Sequence, residues 1–318
     1  RAMLNRRYLR IKVYQSLYAF FQSDGNSAAR IEQELFLSVE RTFDLTVALL
    51  LLFGAMKRNA ELRIEDRKEK HLPTASDLNP SLRFVNNPVL VALAENKLLE
   101  KEAEKRRINW VGEGELLTRM HRQFEQSEEY KRYMAAPAVT FNDHRAIVLH
   151  LFMEHIANFE PLHDHFEGRS IYWLEDLDLA CSLVKRTIEQ MRDGAGEELG
   201  LATLLKPPAE EKEFVSQLYR RTIEQSDEHG REIASKASNW EEDRIAVSDM
   251  ILMKMALTEA RAFNEIPVKV TLNEYIEIAK AYSTPKSSTF VNGILDKLFA
   301  EMKENGSIRK VGRGLLES

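Results

Sequence analysis

Pro267-Val-Lys-Val-Thr-Leu-Asn-Glu-Tyr-Ile-Glu-Ile-Ala-Lys280, followed by Ser283-Thr-Pro-Lys-Ser-Ser-Thr-Phe-Val-Asn-Gly-Ile-Leu-Asp-Lys297, reads as two short helices joined by a polar corner. Pro267 blocks helix before it. Thr271 and Glu274 have the spacing of a capping box. Leu272, Ile276, Ala279 and Tyr282 can then share one face, with Glu274, Glu277 and Lys280 towards solvent. Thr284 can cap the second helix with Pro285 in its first turn, where a missing N–H costs nothing. Phe290, Val291, Ile294, Leu295 and Leu298 recur at helical spacing. Gly293 inside that helix costs about 1 kcal/mol relative to Ala, and a close helix–helix approach would account for it. Lys286, Ser287, Ser288, Asn273 and Asn292 remain near the corner, able to hydrogen-bond something polar.

Outward from this stretch, the rest of the 318 residues also reads as helix. Glycine (13) and proline (9) are scarce while Leu, Glu, Ala, Lys and Arg abound, which favours an all-α chain. Helices are expected over 4–22, 28–57, 89–106, 113–133, 142–157, 171–193, 209–236, 240–262, 272–282 and 286–304. The apolar run Leu45–Met56 lies between Asp44 and Lys57. It falls short of the ~20 residues that span a bilayer, so it reads as a buried helix. The start carries arginines and no uninterrupted apolar segment, and a soluble cytoplasmic protein is the expectation. Cys181 is the sole cysteine, which excludes an internal disulfide framework or a cysteine-based zinc site.

The net charge of −5 argues against a surface coated for nucleic acid, but not against a local patch. Arg6, Arg7 and Arg10 gather at one end of the first helix, with Tyr8 among them and no acidic residue before Asp24. The arginine fork binds phosphate bidentately and its face stacks on bases. By contrast, Glu100-Lys-Glu-Ala-Glu-Lys-Arg-Arg107 mixes both signs and reads as a solvated helix face.

His144, His150, His155, His163 and His165 crowd together, but H-x-x-x-E-H on a regular α-helix puts His155 about 100° away from Glu154. Structural or surface histidines are expected there rather than a metal. No G-x-S-x-G, P-loop or G-x-G-x-x-G motif occurs, so a hydrolase or nucleotide enzyme has no anchor, and no cofactor is expected. Trp173-Leu-Glu-Asp176 and Trp240-Glu-Glu-Asp243 each open an amphipathic helix and hint at a partial internal duplication, with Ser182 opposite Asp249.

The corner resembles the C-terminal signature of the NusB family of transcription antitermination proteins. Ile266-Pro267, Lys269-Val270, Asn273-Glu274, Glu277, Ala279-Lys280, Ser287 and Phe290-Val291-Asn292-Gly293 fall in its register. Asn5-Arg-Arg-Tyr-Leu-Arg10 with Gln15-Ser-Leu-Tyr18 resembles the family's arginine-rich first helix, and 239–252 resembles the helix before the corner. The resemblance covers roughly 1–60 and 209–305.

It implies two three-helix modules packed across each other, with an additional inserted helical bundle. Residues 1–65 would begin the N-terminal module and 208–238 would complete it. Residues 66–207 would form the insertion, 239–305 the C-terminal module and 306–318 a flexible tail.

It also implies a non-catalytic role: binding boxA RNA of nascent ribosomal transcripts together with the ribosomal protein NusE, in an antitermination complex on RNA polymerase, with no membrane partner. By the resemblance, Arg6, Arg7, Arg10, Tyr282, Lys286, Ser287 and Phe290 fall in the RNA site, and Tyr18 and Asp249 in the partner contact. Core positions for Phe290 and Tyr18 are the alternatives. Tyr275 stands where the family has a small residue, which implies altered helix packing. Two rival readings come from other classes. One is an RNA-binding module related to ribosomal-RNA cytosine methyltransferases, which S-adenosylmethionine binding would reveal. The other is an interaction scaffold that has lost RNA binding.

Overall fold

The computed structural model describes residues 3–23, 25, 27–169, 171–194, 209–237 and 245–316. Among them there are helices and no strands. In chain order the α-helices are α1 (Met3–Gln22), α2 (Ala28–Lys68), α3 (Ala75–Leu78), α4 (Pro88–Ala94), α5 (Lys97–Arg106), α6 (Gly114–Glu125), α7 (Glu128–Ala135) and α8 (Phe141–His150). A π-helical turn, Leu151–Ile156, continues α8. Then come α9 (Glu160–Arg169), α10 (Ile171–Glu189), α11 (Ala209–Glu224), α12 (Ser226–Lys236), α13 (Val247–Ala262), α14 (Val268–Tyr282) and α15 (Ser287–Glu304), and a 3-10 turn at Gly312–Leu315.

The chain forms two compact units, one of residues 1–39 with 207–318 and the other of residues 40–206. The division falls inside α2, well before residue 65. The apolar run Leu45–Met56 therefore belongs to the second unit, where it is almost wholly buried. The stripe Ile31, Leu35, Val39, Phe43 and Val47 is buried, as its four-residue spacing predicts.

In the first unit, α13 is the hub, in contact with α1, α11, α12, α14 and α15. Its buried residues, from Asp249 to Ala260, point all round the helix, as an enclosed helix requires. The anticipated single helix over 209–236 breaks at Gln225 into α11 and α12.

The tail is not loose over its described part. Lys310 Nζ donates to the Phe263 carbonyl (2.9 Å) and Val311 N–H to the Asn264 carbonyl (3.1 Å), and Ile308 is buried. Gly314 lies so close to the Asn264 carbonyl that a Cβ would collide with it.

In the second unit, Asn87, Asn96 and Ser127 cap α4, α5 and α7 through their side chains. Thr74 and Thr140 form capping boxes with Asp77 and Asp143. The 100–107 charge run is only partly solvated. Glu102 is buried, and Arg106 reaches Asp44 (2.6 Å) and Glu40 (3.2 Å). Half-buried Cys181 has its thiol pushed up to about 12 by burial, so it stays protonated. Of the two W-x-E-D sequences, 240–243 lies outside the described residues. No helix of the described residues is long and apolar enough to cross a membrane.

Candidate nucleic-acid interface

Tyr8 to Tyr14 in α1 are all buried, so this stretch has no solvent side for a basic face. Arg10, 1% exposed, donates two hydrogen bonds to Glu259 of α13, at 2.8 Å from Nε and 2.7 Å from Nη2. Thr271 and Tyr275 of α14 donate to the two oxygens of the same carboxylate, each at 2.9 Å. Burial by itself would push Glu259 up, but the Arg10 charge and these hydrogen bonds hold it below the usual carboxylate range. The pair is ionised and structural. Arg10, expected in the RNA site, therefore has no face to solvent, because a buried guanidinium needs its partner.

Arg7 pairs with Glu274 in the same bidentate way (2.7 and 2.8 Å), and Arg6 Nε reaches both oxygens of Glu211 (3.0 and 3.1 Å). Arg6 also lies over the Phe214 ring. Both arginines remain partly exposed at 24% and 35%, so they reach solvent with their charge already matched by a carboxylate.

The corner differs from the capping pattern its sequence suggests. Helix α14 starts directly after Pro267, whose φ of −59° and ψ of 141° set the entry, so Thr271 and Glu274 lie inside the helix. The buried face is Val268, Thr271, Tyr275, Ile278 and Ala279; of the expected stripe Ala279 is buried, while Leu272 and Ile276 are half-buried and Tyr282 is exposed. The fully buried Tyr275 hydroxyl on Glu259 fixes that rotation.

Beyond Tyr282 the backbone turns through 283–286, and Asp249 accepts from Ser283 Oγ (2.6 Å) and Ser287 Oγ (2.9 Å). Thr284 N–H donates to Ser287 Oγ (3.2 Å). Asp249 is 5% exposed and Ser287 2%, so the two fasten the elbow to α13 instead of facing a ligand. Neither is an outward contact in this arrangement.

What the elbow leaves outside is aromatic and basic. Tyr282 is 37% and Tyr18 40% exposed. Between them stands the buried Tyr14, its ring centroid 6.3 Å from Tyr18 and 5.9 Å, edge-on, from Tyr282. The Tyr14 hydroxyl bonds Ser248, and burial raises its pKa. Lys286 is exposed at the end of the turn that follows Tyr282, and Phe290 is half-buried one turn into α15. Neither Tyr14 nor Glu259 was singled out from the sequence. The available signals were the i, i+4 tyrosine pair at 14 and 18, and a lone acid in the apolar helix 250–260.

The NusB family model matches residues 176–300. The transcription antitermination protein NusB of Salinibacter ruber is 41% identical over 131 residues, covering 40% of this chain and 81% of that protein. This chain belongs to the NusB family. The NusB of Chloroherpeton thalassium is 44% identical over 106 residues, 33% of this chain and 50% of that protein. That of Natranaerobius thermophilus is 30% identical over 113 residues, 34% of this chain and 81% of the relative. No solved structure matches the chain significantly. The NusB match begins at Asp176, inside α10, upstream of 209 where the sequence reading resumes the family pattern. It takes in Glu259, Asp249 and the whole elbow.

Proposed function

We propose that this protein is a non-catalytic transcription antitermination factor. It binds boxA-like single-stranded RNA of nascent ribosomal transcripts together with NusE, in a complex on RNA polymerase. The observation that supports this reading best is the pair of half-exposed tyrosines, Tyr18 and Tyr282, held apart by the buried Tyr14, with Lys286 exposed on the turn after Tyr282 and Phe290 half-buried at the start of α15. Unstacked bases gain most from rigid aromatic faces, and a nearby ammonium attracts the connecting phosphates.

In this mechanism Tyr282 and Phe290 offer stacking surfaces and Lys286 meets a phosphate. Arg6 and Arg7 contribute their exposed edges, and NusE docks on the side of Tyr18. Asp249 and Ser287 act indirectly, by fixing the turn that presents Tyr282 and Lys286. Arg10 supports α1 from inside.

An electrophoretic shift with boxA RNA, with and without NusE, tests the assignment. Tyr282→Ala should weaken RNA binding by the ~1–3 kcal/mol typical of a stacked base. Lys286→Ala should weaken it less and flatten its salt dependence. Tyr18→Ala should chiefly reduce the gain that NusE brings. Lys101→Ala with Lys105→Ala, on the exposed part of α5, should change nothing. Equal losses from the α5 and elbow variants, or no shift with either protein present, would overturn the reading.

A further inference from the structure

In the unit of residues 40–206, α8 does not stop at His150 but runs on into the π turn Leu151–Ile156. There the Ala157 N–H donates to the Phe152 carbonyl at 2.8 Å. On a regular α-helix, side chains five residues apart point about 140° away from each other. The wider π turn, with its i→i+5 bonding, brings the fifth residue back to nearly the same side. As a result His155 lies against His150, with Nε2 3.2 Å from Nε2 and the rings inclined at 64°. The spacing that argued against a metal in the sequence holds only for a regular helix. Single π turns recur at functional sites, where the poorer backbone geometry is retained for what it places.

We propose that His150 and His155 form a two-imidazole site for a borderline divalent transition-metal ion of the zinc or copper(II) class, completed by Glu129 of α7 and by water. Two nitrogens at zinc-bond length on a tetrahedral ion lie about 3.3 Å apart, close to the separation observed. The ring centroids are 5.1 Å apart, less than the nitrogen separation plus the two centroid-to-nitrogen radii. The two nitrogens therefore do not lie on the line joining the ring centres, and in the ion-free protein they make a hydrogen bond to each other.

Glu129 Oε2 lies 3.5 Å from His150 Nε2 on a side chain that is half exposed and able to rotate. Phe124 walls one side of the pair, its ring 5.5 Å from His155 and 6.4 Å from His150. Among the described residues no three His, Cys, Asp or Glu side chains already stand grouped to hold an ion. The preformed part here is the histidine pair, and Glu129 has to swing in.

The test is equilibrium binding of Cu2+ and Zn2+ to the tag-free full chain, with electron paramagnetic resonance of the copper form. One saturable equivalent with superhyperfine coupling to two imidazole nitrogens is expected, since copper binds most tightly in the divalent series. His150→Ala and His155→Ala should each weaken binding by roughly tenfold or more, and Glu129→Gln by less. His163→Ala, with circular dichroism as the folding control for every variant, should leave binding unchanged. Absence of saturable binding, or binding that survives both histidine substitutions in folded protein, would overturn the proposal.

Discussion

Gly293 faces outward from α15 with no other group within 4 Å of where a Cβ would stand, so no close approach inside the protein accounts for it. It lies one turn beyond Phe290. Gly293→Ala should stabilise the folded protein by about 0.5–1 kcal/mol through helix propensity, read as a higher urea midpoint. If the helix backbone there is approached by RNA or by NusE, the same variant should bind more weakly although it is no less stable. Unchanged binding would show that the glycine serves neither ligand. Gly314 is the opposite case. Its Cβ position is occupied by the Asn264 carbonyl, so Gly314→Ala should undock residues 308–316, at a cost of about 1–3 kcal/mol. Faster amide exchange at Val311, whose N–H is bonded to Asn264, would report it. Unaltered exchange would mean that the tail's docking does not depend on this contact. The two glycines look alike in sequence, and only the atoms around them separate their roles.

Helices α1 and α14 show how a polar face can be a core face. Arg10, Glu259, Thr271 and Tyr275 form one buried hydrogen-bonded network, which Arg10 Nη1 extends to Glu274 at 3.7 Å, and it orients both helices against α13. Arg10→Met leaves the Glu259 charge buried with two hydroxyl donors only, and should cost about 3–5 kcal/mol of stability. The double variant Arg10→Met/Glu259→Leu should recover much of that, in a thermal or urea melt. In folded protein, RNA affinity should follow Tyr282 and Lys286 and not Arg10. A folded Arg10→Met protein with normal stability but abolished RNA binding would return Arg10 to the interface. This network is not legible in the sequence, because helical periodicity sorts residues by polarity. It cannot tell a charge facing water from one facing a partner 249 positions away. The same limitation turned α14 the wrong way: Leu272 and Ile276 are apolar, yet the hydroxyls of Thr271 and Tyr275 had a buried carboxylate to satisfy.

Each of the two units carries a buried histidine whose pKa burial lowers to about 4, His229 in one and His121 in the other. Both are neutral when folded, whereas an unfolded histidine titrates near 6.5. Their stabilisation is complete above about pH 6.5 and is lost as pH falls towards 4, by at most roughly 3 kcal/mol each. Glu259, held below its ordinary range, extends the loss further into acid. Melting temperature against pH should therefore fall through this window. His121→Leu should flatten the fall, since His121 has no hydrogen-bond partner to lose. A pH profile identical to that of the unaltered protein would remove His121 from the account. The sequence by itself determined the helical class, the buried nature of Leu45–Met56 and the NusB kinship of the elbow. These follow from composition, from apolar runs and from an ordered string of residue types, all local properties of the chain. Tertiary structure decided where α2 passes from one unit to the other, which arginines keep solvent, and that Asp249 and Ser287 brace the elbow rather than face outward. It also decided that His155 stands over His150. Each of those depends on pairings between distant segments, or on one extra residue in a helical turn, which periodicity cannot encode.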